Sequence, residues 1–158
     1  GIYYHKVGQD VVWPRAMQYQ VEKTNIGDIV TVGHLRYDTW VDPSTKDEKK
    51  PTFMLREDGG VEQMHGHAAG ITHLAHRGKW EVDGWNQIEI ICRGDTAEHW
   101  LNGKLVAKCK NMRQPKDKPE GETIPLTKGK ILLEIEAAEI FFRNVEIKDL
   151  SKNHDKKK

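Results

Sequence analysis

The sequence GKILLEIEAAEIFFRNVEI, residues 129–147, predicts the fold of this chain more clearly than any other stretch. Read with the two-residue period of a β-strand, it has an aliphatic face made of Ile131, Leu133 and Ile135. The opposite face contains Leu132, Glu134 and Glu136. An unpaired buried carboxylate is costly, so this second face must contact water or a ligand. A turn at 137–139 leads to a second predicted strand, FFRNVEI, in which Arg143 requires an acidic or carbonyl partner. The stretch predicts a sheet with one apolar and one charged face.

Length, charge and composition limit the classes of protein to which this chain can belong. Its 158 residues fit one domain, residues 1–150, followed by a polar, basic tail, residues 151–158. Lys and Arg total 25 against 24 Asp and Glu, so no excess charge favours a nucleic-acid or membrane-surface partner. No apolar segment approaches the ~20 residues that span a bilayer. Charge and composition therefore favour neither a nucleic-acid partner nor a membrane partner.

The start of the chain is unusual. Gly1 lies inside a predicted strand, GIYYHKV, with no initiator methionine and no recognisable signal peptide. Such a start is typical of a chain cut from something longer, so the cellular compartment cannot be read from it.

Strand signals dominate the chain, and helix signals are nearly absent. Short β-branched and aromatic runs that end at Gly, Asn, Asp or Pro predict eight strands: 2–7, 16–22, 28–35, 87–93, 96–101, 104–108, 131–136 and 140–147. Asn102-Gly103 predicts a type I′ hairpin, and Gly94-Asp95 closes the preceding strand pair. The polar stretches 41–70 and 110–128 are predicted loops. Many short antiparallel strands with long loops predict an all-β sandwich.

The hairpin register also predicts that the two cysteines are not bonded. Cys92 falls opposite Ala97, and Cys109 falls opposite Thr96. The cysteines then lie on the outer strands of a three-stranded meander, about twice the 4.7–4.9 Å strand spacing apart. That separation exceeds the ~7 Å Cα limit for a disulfide, so we expect two free thiols.

Three blocks of the chain together resemble a known family. The blocks are WPRAMQYQVEKTNIGDIVTVG (13–33), WNQIEIICRGDTAEHWLNGKLV (85–106) and GKILLEIEAAEIFFRNVEI (129–147). In that order they resemble the signature blocks of the 3-keto-disaccharide hydrolase domain family, and the resemblance covers nearly the whole chain. The third block is the most specific, whereas laminin-G and lectin-like sandwiches share the second. The resemblance implies a concanavalin-A-like jelly-roll sandwich of two antiparallel sheets, with the family's first strands absent before Gly1. Those strands complete the two sheets in the family, so the resemblance implies unpaired strand edges here, and we expect a preceding segment or a second polypeptide to fill the gap.

The same resemblance implies a function. Its members are carbohydrate-active and abundant in exported proteins, so we expect a hydrolase or lyase that cleaves 3-keto-glycosides in a cleft on the concave sheet, in the periplasm, at the outer membrane or outside the cell. Where the family commonly has Glu-x-Gln, this chain has Gln18 and Gln20. Where the family commonly has Leu-Gln-x-Glu-Gly, this chain has Glu134 and Glu136. One carboxylate site has therefore become an amide, and one amide site has become a carboxylate.

A 3-keto sugar offers an accessible route to bond cleavage. The ketone acidifies the hydrogen on C2, so a single base can start elimination of the C1 substituent while a donor or metal holds the enolate. The candidate catalytic residues are Glu134, Glu136 and His67. The candidate substrate-binding residues are Gln18, Gln20, His5, His34, Trp40, His65 and Arg143. We expect the two glutamines and two glutamates to share one cleft, because both strands carry apolar residues on the opposite face.

The histidines of HGHAAGITHLAH, residues 65–76, allow two interpretations. His65 and His67 would point the same way on an extended chain, which suits a divalent metal. No cysteine or nearby carboxylate completes a ligand set, so sugar donors and proton carriers are the alternative, and no cofactor is expected. The chain is thus either an enzyme or a non-catalytic carbohydrate-binding or interaction module. Glu134 and the histidines favour the enzyme, and the amide at Gln18 favours the module.

Overall fold

In the computed structural model, the chain folds into two antiparallel β-sheets. The structure describes residues 1–66, 70–136 and 138–153. In chain order the strands are β1 (Ile2–Val7), β2 (Arg15–Tyr19), β3 (Ile29–Val32), β4 (Arg36–Val41), β5 (Val61–His65), β6 (Ile71–Leu74), β7 (Ile88–Arg93), β8 (Thr96–Leu101), β9 (Lys104–Pro115), β10 (Thr123–Pro125) and β11 (Lys130–Leu133). Two short 3-10 helices, Arg56–Asp58 and Leu150–Asn153, accompany them. The prediction of an all-β sandwich is confirmed.

The strand order defines two sheets. Sheet A runs β11-β1-β2-β3-β6, and sheet B runs β5-β4-β9-β8-β7 with β10 paired to the end of β9. Side chains that alternate along the strands of both sheets form one buried core between them: Tyr4, Met17, Ile29, Leu35, Tyr37, Val41, Leu74, Ala97, Ala107, Cys109, Met112 and Leu126. Because successive side chains of a strand point to opposite faces, each strand has one face that points toward this core.

The central strands of sheet A, β1, β2 and β3, are buried on both of their faces. On the side away from sheet B, a second cluster contains Tyr3, Ala16 and Val32, with Leu132 packed against it. We call this side the outer face of sheet A. Polar side chains that share it, including Gln18, are also buried. Because buried polar groups must find partners, the outer face of sheet A is where a polar site can be held in a fixed geometry.

Several strands lie where the sequence predicted loops. β5 and the helix Arg56–Asp58 fall within 41–70, while β10 and the last residues of β9 fall within 110–128. β4 and β6 were not predicted at all. β4 and β6 take partners from distant parts of the chain, since β4 pairs with β9 and β6 pairs with β3. β10 instead pairs with the nearby end of β9. Local composition predicts turns well, but it does not predict pairing between strands that are far apart in the sequence.

The predicted strand 140–147 is wrong. Residues of FFRNVEI have no strand assignment, and Phe141, Val145 and Ile147 are exposed, Ile147 by 80%. Arg143 is exposed too, and its guanidinium carbon lies 4.1 Å from the ring centroid of Trp85. This cation–π contact replaces the acidic or carbonyl partner that we expected. The Trp85 side chain is itself half-exposed.

The aliphatic face of β11 also departs from the prediction. Ile131, Leu133 and Ile135 are all exposed, Ile135 by 70%, instead of lying in the core. β11 is the edge strand of sheet A and pairs only with β1 among the described strands. Alternation correctly separates the two faces of this strand, but it cannot tell whether sheet B extends far enough to cover one of them.

The predicted meander of β7, β8 and β9 is confirmed, with one correction. Asn102 and Gly103 have φ of 48° and 76°, as a type I′ turn requires. Both Cys92 and Cys109 pair with Ala97, whereas we expected Thr96 opposite Cys109. A β-bulge between His99 and Trp100 shifts the β8–β9 register. Both thiols are free, as predicted.

Candidate functional site

The register of sheet A places five side chains in one row on its outer face. Leu132 pairs with Tyr3, Tyr3 with Gln18, Gln18 with Val30, and Val30 with His73. Directly paired residues point to the same side of an antiparallel sheet. The row therefore crosses the whole sheet from β11 to β6.

Glu134 follows β11 and lies at one end of this face. Its Oε1 accepts a hydrogen bond from the Tyr3 hydroxyl at 2.6 Å, and its Oε2 accepts one from Gln18 Nε2 at 2.9 Å. Its backbone extends the β1–β11 pairing, since Glu134 N donates to the Gly1 carbonyl at 2.8 Å. The Glu134 side chain is 13% exposed. Two directed donors and this backbone anchor hold a nearly buried carboxylate in one orientation.

A glycine makes this arrangement possible. A Cβ on Gly1 would lie 2.2 Å from Gln18 Nε2 and 2.6 Å from Glu134 Oε2. Those distances are far shorter than any tolerated contact, so a side chain at Gly1 would displace one or both partners. The Gln18–Glu134 hydrogen bond occupies the space that the missing side chain leaves.

An open groove of about 270 Å³ begins at Glu134. Its residues form two walls, one from the segment 11–14 and one from the segment 132–136, with Tyr3 between them. Val11, Val12 and Trp13 are exposed, and Glu136 is exposed at the opposite wall. Consecutive exposed apolar residues beside a held carboxylate are typical of a ligand-binding rim.

Burial governs the electrostatics of this end of the site. Desolvation raises the pKa of the Tyr3 phenol well above its ordinary value, and the hydrogen bond to Glu134 raises it further. Tyr3 is therefore a neutral donor throughout the physiological pH range. It can orient the carboxylate without giving up its proton.

A second polar group lies at the other end of the row. His73 Nε2 donates to Asp28 Oδ2 at 2.6 Å, and the backbone N of His76 donates to Asp28 Oδ1 at 3.0 Å. His76 Nε2 donates in turn to the Ile26 carbonyl at 2.7 Å. The side chain of Asp28 is 1% exposed, and that of His73 is 14% exposed. A buried carboxylate thus fixes the orientation of a partly accessible imidazole.

The structure brings together only some of the residues that the sequence predicted. Gln18 and Glu134 are in direct contact, and Glu136 lines the adjoining groove. Gln20 is half-buried, and its side-chain oxygen accepts from the Val21 backbone N at 3.0 Å. His67 lies outside the described residues.

The other candidates lie elsewhere. His5 Nε2 is 3.0 Å from the Gly94 carbonyl in the β7–β8 turn, so its ring points toward sheet B. His65 stacks on Tyr37 between the sheets, with ring centroids 5.2 Å apart, and burial lowers its pKa to about 4. His34 is half-buried beside Gly70, and an added Cβ on Gly70 would lie 3.6 Å from its ring.

Trp40 and Arg143 make contacts that do not include Glu134. Trp40 lies on the outer face of sheet B in a groove of about 210 Å³, where Lys110 Nζ is 4.7 Å from its ring centroid. Arg143 contacts Trp85, as described above. Neither set of contacts includes a residue of the outer face of sheet A.

Sequence reasoning did not select Tyr3, Asp28 or His73 as site residues. Tyr3 is separated from Glu134 by 131 positions, and Asp28 from His73 by 45. Tyr3 and His73 pair with residues of the outer face, and Asp28 precedes β3, two residues before Val30 of the same face. A correct strand register would have found them, but the sequence did not predict β6, on which His73 lies.

The described residues, which exclude His67, contain no group of three or more His, Cys, Asp or Glu side chains that could hold a metal ion. The metal interpretation of the histidine span, which included His67, therefore remains an untested expectation. The described residues also include no helix long and apolar enough to cross a bilayer.

Comparison with known proteins gives one result. The profile of a family described as the 3-keto-alpha-glucoside-1,2-lyase-like domain matches residues 1–148. No curated protein sequence and no solved structure shows a significant match. The match spans both halves of the outer face of sheet A, from Gly1 and Tyr3 through His73 to Glu134, and it agrees with the resemblance of the three sequence blocks. The chain belongs to the family of 3-keto-alpha-glucoside-1,2-lyase-like domains.

Proposed function

We propose that this domain is a lyase or hydrolase that cleaves 3-keto-glycosides on the outer face of sheet A. The observation that carries the proposal is the Gln18–Glu134 hydrogen bond of 2.9 Å. The resembling family commonly has glutamate at the first position and glutamine at the second. Both residues have changed here, and they contact each other. The exchange therefore keeps one carboxylate and one amide in the same site.

This contact answers the main argument against catalysis. Gln18 taken alone indicates a lost catalytic carboxylate, which favours a binding module. Because Glu134 Oε2 lies beside the Gln18 amide, the carboxylate has moved across the contact and has not been lost. Tyr3 and Gln18 hold it in one orientation, as an active site requires.

The chemistry follows from the substrate class. The C3 ketone makes the C2 hydrogen acidic, and Glu134 would accept that proton. The electron pair left at C2 forms the C1=C2 double bond as the C1–O bond breaks. The aglycone oxygen departs and takes up a proton, so the products are a 1,2-unsaturated 3-keto sugar and an alcohol. Addition of water to the double bond would convert the same elimination into net hydrolysis.

A direct assay tests this proposal. The protein is incubated with the 3-keto derivative of a 4-nitrophenyl α-glucoside and, separately, with its unoxidised parent. Release of 4-nitrophenol from the keto derivative alone supports elimination, and Glu134→Gln should abolish it. Absence of release from both compounds, with the protein folded, would contradict the enzyme proposal.

A non-catalytic carbohydrate-binding module is the second candidate. The open groove and the half-exposed Trp13 favour it, because a surface tryptophan can stack on the apolar face of a pyranose. Calorimetric titration with the unoxidised glycoside distinguishes the two candidates. Binding without any product from the keto derivative would identify the module.

We also propose that a further strand pairs with the free edge of β11. The exposure of Ile131, Leu133 and Ile135 supports it, since an exposed apolar edge strand readily accepts another strand. Residues that precede Gly1 or a second chain would supply the strand. A longer chain that melts at a higher temperature supports the first source, and a concentration-dependent dimer supports the second.

A further inference from the structure

The two walls of the groove at Glu134 differ in chemical character. On one side, Glu134 and Glu136 present carboxylates. On the other side, the exposed side chains are apolar, with exposed fractions of 55% for Val11, 82% for Val12 and 51% for Trp13. A valine offers no hydrogen bond, so a sugar hydroxyl placed against it would lose water without gaining a partner. This second side, which we call the apolar wall, therefore suits an apolar group.

The apolar wall is held in place at both of its ends. Before it, Asp10 accepts hydrogen bonds from Lys6 and from Lys130, whose Nζ lies 3.2 Å from Asp10 Oδ2. The Lys6 side chain is 1% exposed, and its Nζ also donates to the Gly8 carbonyl at 2.8 Å. After it, Pro14 is buried, and its ring fixes φ. A wall that is anchored in this way loses little conformational entropy when a ligand binds.

The chemistry of elimination determines which part of the substrate can reach the apolar wall. Glu134 accepts the proton from C2, so the sugar ring lies at the Glu134 end of the groove, where Tyr3 and Glu136 supply polar partners. The leaving oxygen is attached to the neighbouring C1, so the aglycone begins beside the same carboxylate. The groove volume of about 270 Å³ is below the ~300–1,000 Å³ of sites for drug-sized ligands. It therefore admits a short chain or a single ring as the aglycone and no longer chain of sugars.

We infer that the substrate is a 3-keto-glycoside of an apolar alcohol, alkyl or aryl, and that the apolar wall binds this aglycone. The inference rests on the proposed function and deepens it by choosing the class of leaving alcohol. Val11, Val12 and Trp13 determine the specificity, and Asp10 is a positioning residue for them. A second sugar as the leaving group would place hydroxyls against the valines and leave them unpaired.

Substrates with matched leaving groups test this inference. Methanol and butan-1-ol have nearly equal acidity, so the 3-keto methyl and 3-keto butyl α-glucosides differ mainly in the contact of the added methylenes with the wall. Full burial of a methylene raises affinity about fourfold, and an open groove covers roughly half of it. We therefore expect kcat/KM to be about eightfold higher for the butyl compound. The 2-methoxyethyl compound has the same length and a more acidic alcohol. Its ether oxygen would lose water at the wall, so its kcat/KM should lie at least about threefold below that of the butyl compound.

Two valines of nearly equal exposure provide the variant and its matched control. Val11 lines the groove and is 55% exposed, whereas Val82 lies outside the groove and is 53% exposed. Val11→Ser should lower the butyl-to-methyl ratio of kcat/KM from about eight to about three, because it removes apolar contact with the aglycone. Val82→Ser should keep both rates at the wild-type value. Asp10→Asn should also lower the ratio, since it loosens the wall, whereas a loss of folded protein would lower both rates and keep the ratio.

The outcomes separate this inference from the function on which it rests. If the unmodified protein cleaves no keto-glycoside, the proposed function fails, and this inference fails with it. If it cleaves the methyl and butyl compounds with equal kcat/KM, the function stands and the apolar aglycone is overturned. A butyl preference that Val11→Ser leaves intact, or that Val82→Ser lowers equally, overturns the role of the apolar wall. Faster cleavage of the 2-methoxyethyl compound than of the butyl compound overturns the inference as well.

Discussion

Exchanging the partners of the Gln18–Glu134 contact should test the site more sharply than deleting either. Gln18→Glu alone places two carboxylates 2.9 Å apart, since the amide nitrogen that now donates becomes an oxygen. At that distance, two unit charges repel by roughly 6 kcal/mol at an effective dielectric constant of 20. The pair can avoid this repulsion by binding a proton. Protonating a carboxyl of pKa ~4.3 at pH 7 costs about 3–4 kcal/mol. This cost is the upper limit of the destabilisation that Gln18→Glu can cause.

We therefore expect Gln18→Glu to lower the free energy of unfolding by about 3 kcal/mol at pH 7. The loss corresponds to a fall of about 6–12 °C in Tm for a chain of this size. Glu134→Gln alone should cost about 1 kcal/mol, because it weakens two hydrogen bonds without introducing repulsion. The double variant restores one amide and one carboxylate in the reverse order, as in the resembling family. It should recover most of the loss, with a coupling energy of about 2–3 kcal/mol.

Urea denaturation of the four proteins in a double-mutant cycle provides the measurement. The penalty of Gln18→Glu should also depend on pH. The shared proton raises a carboxyl pKa in the folded state above its unfolded value, so the folded state binds more protons. Stability is then lost as pH rises, and the penalty should shrink to about 1 kcal/mol at pH 5. Additive effects, with a coupling energy below about 0.5 kcal/mol, would refute the contact on which the proposed function rests.

Three further predictions concern other parts of the chain. Gly1→Ala should lower sugar affinity about tenfold, because its Cβ would lie 2.2 Å from Gln18 Nε2; equal affinity by calorimetry would show that the side chains move aside freely. Trp13→Ala should weaken glycoside binding by about 1–2 kcal/mol without changing Tm, whereas a large fall in Tm would make Trp13 structural. Burial lowers the pKa of His65 to about 4 from 6.5, so its contribution to stability is complete above pH 6.5 and is lost as pH falls toward 4. In urea denaturation at several pH values, His65→Phe should reduce the loss of unfolding free energy between pH 6.5 and pH 4. An unchanged loss would show that His65 does not cause it.

The sequence predicted the strands that tight turns connect. The β8–β9 hairpin is determined by Asn102 and Gly103, because few residues tolerate positive φ at both central positions. Its register could still not be predicted to the residue, since the bulge between His99 and Trp100 shifts the pairing by one. β4 and β6 were missed because their partners lie far away in the chain. Pairing of that kind depends on tertiary packing, which local propensity does not report.

Only part of the candidate site could be predicted from the sequence, because the strand pairing that brings its residues together could not be predicted. Alternation alone placed Gln18 and Glu134 on polar strand faces, and their contact is observed. Alternation could not exclude His5, because a bulge in β1 follows Tyr3 and turns the His5 ring toward Gly94. It also could not exclude His65, whose strand partner Tyr37 belongs to the core. Histidine in a strand has no preferred face, so the neighbouring strand decides its environment.

The free edge of β11 and the site beside it depend on opposite faces of one strand. Ile131 and Leu133 point away from the outer face of sheet A, while Leu132 and Glu134 belong to it. A strand added along β11 would pair through backbone groups and place its own side chains beside the aliphatic ones. It would not need to move Glu134, whose donors Tyr3 and Gln18 come from β1 and β2 on the other side. Completing the sheet should therefore raise stability strongly and alter the geometry of the carboxylate little.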